Sequence, residues 1–178
     1  MTFDKLVSEL IEVEGGYVNN PDDSGGETRY GITKEVARSY GYTGSMKDLP
    51  IKIAKMIYKE NYWNVHNLDD IYCISPRIAE ELFDTGVNMS VYKAAEFFQI
   101  SLNVLNQRKH IYNDLLVDRK IGPVTVAALK SHLEHRRDDT VLLRMLNCLQ
   151  GAYYIDIATR REKDETFVYG WFLNRVVI

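Results

Sequence analysis

Glu14-Gly15-Gly16-Tyr17-Val18-Asn19-Asn20-Pro21-Asp22-Asp23-Ser24-Gly25-Gly26-Glu27-Thr28-Arg29-Tyr30-Gly31-Ile32-Thr33 is the stretch that decides how this 178-residue chain is read. Five of the eleven glycines fall between positions 15 and 31, among Asn19, Asn20, Pro21, Asp22, Asp23 and Ser24. Such residues supply turn conformations and side chains that bond their own backbone, so a loop or hairpin is expected. The preceding residues 2–14 have the helical period: Phe3, Leu6, Val7, Leu10 and Ile11 form one apolar stripe, Thr2 is a candidate N-cap, and Asp4 sits in the first turn. Gly15-Gly16 ends that helix.

On a wheel of 100° per residue, Glu14 lies about 20° from Phe3 and Val7, on the apolar stripe, whereas Glu12 points away. A carboxyl group drawn toward apolar surroundings keeps its proton to higher pH, as a general acid must. Glu14 could equally cap the loop by accepting N–H bonds from the glycines that follow. Asp22 and Asp23 offer a second carboxylate in a different setting, and Thr28 a hydroxyl able to orient water. Glycosidic cleavage needs two such unlike carboxylates, one to protonate the leaving oxygen and one to activate water or steady positive charge on the sugar. Tyr17, Tyr30, Tyr62 and Trp63 are candidates for stacking on sugar rings, although packing explains most aromatic residues.

Outward from this segment the chain reads as helical. Thr33 caps a short helix ending near Gly41, and Asp48 with Pro50 opens one to about Tyr62. Pro76 begins a helix through Ile78, Ala79, Leu82 and Phe83. Val91 to Leu105 and Pro123 to Leu133 follow, and a longer helix over about Thr140 to Arg161 should turn Leu142, Met145, Leu146, Leu149 and Tyr153 inward. The tail from Phe167 is apolar enough to dock on a core. A mainly α fold is expected, with a small hairpin and with residues 91–178 packed on residues 1–90.

Composition bounds the function. With 46% hydrophobic and 26% charged residues the chain is of ordinary globular type. A net charge of −3 and a pI near 5.8 argue against a dedicated nucleic-acid binder. No apolar run reaches the roughly 20 residues of a membrane span, so no membrane insertion is expected. Cys73 and Cys148, far apart and without metal-like spacing, are expected to be buried reduced thiols. Asn20, Asp22, Ser24 and Gly25 match early positions of a calcium loop, but Gly31 stands where the bidentate Glu belongs. His132-Leu133-Glu134-His135 lacks the spacing of a metalloprotease helix and reads as a solvated helix end. GxSxG, GxxxxGK[ST] and GxGxxG motifs are missing. No metal and no cofactor is expected.

The run from Glu14 to Thr33 resembles the signature of glycoside hydrolase family 108, which reads EGGY, then Asp, GGxT and YGI. That family comprises phage endolysins and bacterial muramidases with a lysozyme-like, mainly helical fold. The similarity continues through Tyr62-Trp63 and Leu82-Phe83-Asp84-Thr85-Gly86-Val87-Asn88. It extends through Ile121-Gly122-Pro123-Val124-Thr125 and Gly170-Trp171-Phe172-Leu173-Asn174-Arg175-Val176, which resemble the family's peptidoglycan-binding C-terminal region. Two places depart from the pattern: Asp118-Arg119-Lys120 stands where the family has Asp-Gly, and Met89-Ser90 where a Gly follows the Asn.

The resemblance implies that Glu14 is the catalytic acid. Glu14, Asp23 and Thr28 are also similar to the Glu/Asp/Thr set of phage-type lysozymes, one residue shorter before the Thr, in which Asp and Thr hold a water on the far face of the sugar. An inverting muramidase acting on the β-1,4 bond between N-acetylmuramic acid and N-acetylglucosamine is therefore expected, with Asp84 and Asn88 as further candidates for lining the cleft. The alternatives are a lytic transglycosylase, which Asp23 and Thr28 argue against by providing for water, and a non-catalytic peptidoglycan-binding component of a virion or secretion system. The expected partner is bacterial peptidoglycan and the expected state a monomer. The N-terminus lacks a basic region followed by an apolar run. Synthesis in the host cytoplasm without a signal peptide is expected, followed by release to the wall in the periplasm, as for a phage endolysin.

Overall fold

The computed structural model describes residues 3–19 and 26–176, with backbone alone for Val13 and Glu14. Two compact units emerge, Met1–Trp63 and Asn64–Ile178. The described residues are mainly helical, with one small sheet, as the periodicity predicts.

In the first unit, helix α1 (Phe3–Glu14) buries Val7 and Ile11 and leaves Glu12 exposed. The Thr2 cap lies outside the described residues. Strands β1 (Tyr17–Asn19), β2 (Glu27–Arg29) and β3 (Ile32–Thr33) form an antiparallel sheet in sequence order. Helix α2 (Lys34–Ser39) is capped by Thr33, whose hydroxyl accepts from the Val36 N–H at 3.3 Å. A 3-10 turn at Met46–Asp48 is capped by Ser45, and helix α3 (Ile51–Tyr58) then starts with Pro50 as its N-cap. The expected helix to Tyr62 stops at Tyr58, and residues Lys59–Trp63 widen into a π turn. Burial accounts for this ending: Trp63 is in the core, edge-on to Phe3 with ring centroids 5.2 Å apart. Trp63 is therefore a packing residue and unavailable for stacking on sugar. Full burial of side chains such as Ile57 and Trp63 contributes roughly 1.5–3 kcal/mol each.

The second unit contains α4 (Leu68–Ile74), α5 (Pro76–Asn88), α6 (Val91–Leu105), α7 (Pro123–Arg136), α8 (Thr140–Arg160) and α9 (Glu165–Arg175). Position 90, the sequence boundary, falls between α5 and α6, which pack on each other inside this unit. Ser75 caps α5 by accepting from Ile78 N at 3.3 Å and donates to Asp139 at 2.6 Å, joining the starts of α5 and α8. His66 is buried between two backbone groups, its Nε2 2.7 Å from the Val91 carbonyl and its Nδ1 accepting from Ile121 N at 3.5 Å. Those roles fit a neutral ring protonated on Nε2, and burial lowers its pKa accordingly.

Several expectations need correction. Cys73 and Cys148 are exposed free thiols, not buried ones. His132 is buried, with Nδ1 lacking a partner among the described residues, while His135, one turn on, is exposed. On α8 the fully enclosed face carries Leu142, Leu146, Asn147, Gln150, Gly151 and Tyr154, whereas Met145, Leu149 and Tyr153 lie at its margin. The tail docks as expected, with Trp171 stacked on Tyr154 at 4.6 Å and Phe172 against Gly151.

The departure at Asp118-Arg119-Lys120 has a backbone consequence. Arg119 adopts φ +64°, a left-handed conformation that favours glycine. The buried Gln99 side chain fixes this loop by accepting from Arg119 N at 2.9 Å and donating to Asp118 and to the Lys120 carbonyl. Arg119→Gly keeps those bonds and loses only an exposed ion pair to Glu96. It should raise unfolding stability by up to about 1 kcal/mol, read as a higher denaturant midpoint at unchanged slope.

Candidate active site

The site begins where α1 stops. Glu14 is its last residue, and Gly15 follows at φ +79° with its N–H bonded to the Ile11 carbonyl at 3.2 Å. A left-handed residue immediately after a helix satisfies a terminal carbonyl and turns the chain sharply, which favours Gly over any residue with a Cβ. Two residues later the chain is in β1. Glu14 thus stands at the junction between helix and sheet; its carboxyl group and Asp23 lie outside the described residues, as do Asn20, Asp22, Ser24 and Gly25.

Opposite β1 runs β2, in the register Tyr17 with Arg29, Val18 with Thr28 and Asn19 with Glu27. Successive strand residues face opposite sides. Thr28 is therefore on the same side as Val18, while Tyr17, Glu27 and Arg29 share the other. The half-buried Thr28 hydroxyl donates a long 3.4 Å bond to the Gly26 carbonyl. Thr28 also pairs with Thr33 of β3.

Tyr17 is tied down on the far side. Its hydroxyl donates to Glu27 at 2.9 Å, and Lys34 donates to the other oxygen of the same carboxylate at 2.6 Å. Lys34, followed by Tyr17, holds the Glu27 carboxyl below its ordinary pKa, and that bond to Glu27 raises the Tyr17 phenol. Glu27 is thus an anion that braces the hairpin. Its role had no signal in the sequence, because it depends on a register that pairs Glu27 with Asn19 and so puts it diagonally from Tyr17 on one face.

Tyr30 and Gly31 form the two-residue turn between β2 and β3, with φ +54° and +71°. Two positive values are the mark of a type I′ hairpin, whose first position usually carries Asn, Asp or Gly. Tyr30 holds that position because other groups fix it. The Arg29 guanidinium lies 4.7 Å from its ring centroid and donates to its hydroxyl at 3.0 Å, while Tyr58 donates to its carbonyl at 2.9 Å.

Asp84 and Asn88 are in the second unit, on α5. Asp84 receives Arg175 Nη1 at 2.7 Å and Asn88 Nδ2 at 3.2 Å on one oxygen, and Gln150 Nε2 at 3.1 Å on the other. One turn away, Glu81 accepts from Asn147 at 3.0 Å and Thr85 at 3.3 Å. Burial, with the Asp84 charge second, raises the Glu81 pKa to about 7. The buried Gln150 Oε1 and Tyr154 hydroxyl beside this network have no hydrogen-bond partner among the described residues. The structure therefore engages Asp84 and Asn88 in tying α5 to α8 and α9. Glu81 and Gln150 had no sequence signal of their own, and Arg175 is marked only as part of the run over residues 170–176.

Residues 7–90 match the family model described as glycosyl hydrolase 108. That match spans the N-terminal part of the chain, from within α1 to just past α5. Residues 93–176 match a second model, described as Predicted Peptidoglycan domain. Among solved structures, the chain is similar to Brucella abortus SagA, with 26% identity, a TM-score of 0.67, and coverage of 95% of this chain and 86% of that one. No curated protein matches. Together the two matched regions make the chain a peptidoglycan hydrolase of the glycoside hydrolase class, with peptidoglycan as its partner. Among the described residues, no group of three or more His, Cys, Asp or Glu is arranged to hold a metal, and no helix is long and apolar enough to cross a membrane.

Proposed function

We propose that this protein is an N-acetylmuramidase that hydrolyses the β-1,4 bond between N-acetylmuramic acid and N-acetylglucosamine with inversion. Glu14 protonates the leaving oxygen, and Asp23 and Thr28 position the attacking water, which requires a carboxyl separation of roughly 6.5–9.5 Å. What carries the reading is the junction itself: a helix ending at Glu14, a left-handed Gly15, and a hairpin with Thr28 in its second strand. The resemblance of this segment to endolysin signatures supports a role in phage lysis, with synthesis in the host cytoplasm and action on the wall in the periplasm.

Digestion of isolated peptidoglycan followed by mass spectrometry tests the bond. Fragments with free reducing N-acetylmuramic acid ends are expected, whereas 1,6-anhydro ends would transfer the protein to the lytic transglycosylases. Nuclear magnetic resonance of the first-formed anomer tests the stereochemistry. A β product would overturn inversion.

A further inference from the structure

We propose that the cleft between α4 and α7 binds the peptide stem of peptidoglycan, an inference that rests on the reading of this chain as a peptidoglycan hydrolase. The cleft has a volume of about 600 Å³, within the range of small-ligand pockets of roughly 300–1,000 Å³. Its floor is aliphatic, formed by Ile74, Val126 and Leu133, and its rim carries Asp70, Lys130 and Glu134. Not one of its lining residues is aromatic, so it lacks the flat ring surfaces against which sugars stack. A stem peptide matches it group by group. The methyl side chains of its alanines suit the aliphatic floor, its free carboxylates suit Lys130, and the ammonium of its diamino residue suits Asp70 and Glu134.

Lys130 and Glu134 are 4.0 Å apart and each about two-thirds exposed, 67% by side chain. So loose a pair gives up its partners to a ligand at little cost. The cleft also joins the two family regions, since α4 belongs to residues 7–90 and α7 to residues 93–176, and both helices lie in one compact unit.

Cys73, an exposed thiol in the cleft lining, reports occupancy, and Cys148 serves as the reference. The full chain is alkylated with and without the tetrapeptide L-Ala-γ-D-Glu-diaminopimelate-D-Ala, and each thiol is followed by mass spectrometry. The peptide should slow Cys73 saturably and leave Cys148 unchanged. Lys130→Glu, an exposed substitution checked for folding by circular dichroism, should weaken that protection about tenfold or more. Loss of Cys73 protection up to about 1 mM peptide would overturn the proposal. Equal protection by peptide-free glycan chains, or protection that grows with protein concentration alone, would overturn it too, giving the cleft to sugar or to a second copy. Cleavage of peptide-free glycan by the unmodified protein separates the two ideas. Failure there counts against the catalytic reading, whereas failure of protection counts against the cleft.

Discussion

Glu14→Gln is expected to lower peptidoglycan hydrolysis by about 10²–10⁴-fold, the usual worth of a positioned proton donor, and to leave thermal unfolding unchanged. The amide keeps the shape of the side chain and a nearly equal helix propensity, but it cannot donate the proton that the leaving oxygen requires. The substitution falls on the last residue of α1, where the helix is already handing over to Gly15. Wall-suspension clearing measured beside a melting curve distinguishes a chemical from a structural role. Activity of the unmodified protein should also decline as pH rises through the pKa of this acid, since only the protonated form donates. Lysis close to normal by Glu14→Gln would remove Glu14 from the mechanism.

Glu81→Gln should act on stability, and with the opposite sign from most core substitutions. The Glu81 carboxyl has a pKa of about 7 in the folded protein because burial, aided by the charge of Asp84, disfavours its ionised form. In the unfolded chain it titrates near an ordinary glutamate. The folded state therefore holds the extra proton between those values, so stability is highest at acid pH and declines as pH rises to about 7. Asn147, Thr85, Gln150, Tyr154 and Arg175 complete the surroundings. An amide at position 81 mimics the protonated acid at every pH. The variant should match the parent near pH 4 and exceed it at pH 8 by up to roughly 3 kcal/mol. Denaturant unfolding at the two pH values checks this, and an equal effect at both would rule out ionisation as the cause.

Much of this was legible in the chain. Thr33, Ser75 with Pro76, and the apolar period of residues 91–105 signal helices that the structure forms at those places. The glycine-rich segment reads as a hairpin, and β1 to β3 are there. Helix α4 escaped because seven residues containing Asp69 and Asp70 give too little periodicity. The α8 face was misread for a different reason. Apolar spacing selects Met145, Leu149 and Tyr153, but α8 turns Asn147 and Gln150 inward to meet Glu81 and Asp84, partners 66 positions away. A hydrophobic pattern cannot register a buried amide whose reason for being there lies on another helix. Glu27 shows the same at the hairpin, since its value depends on Tyr17 and Lys34 arriving beside it.

The pairing of Arg175 with Asp84 sets a timetable for folding. These side chains are 91 positions apart, whereas Tyr17 and Glu27 in the first unit are only 10 apart. Contacts between distant positions form slowly, because a long loop of chain must be closed before they give any return. On the ribosome, the hairpin and its neighbouring helices are complete within the first 63 residues, which form a compact unit of their own. Asp84, by contrast, has to wait for helix α9 to emerge before its cation arrives. The first unit should thus acquire protease resistance in nascent chains that still lack α9, while the second unit stays open until its last helix has been made.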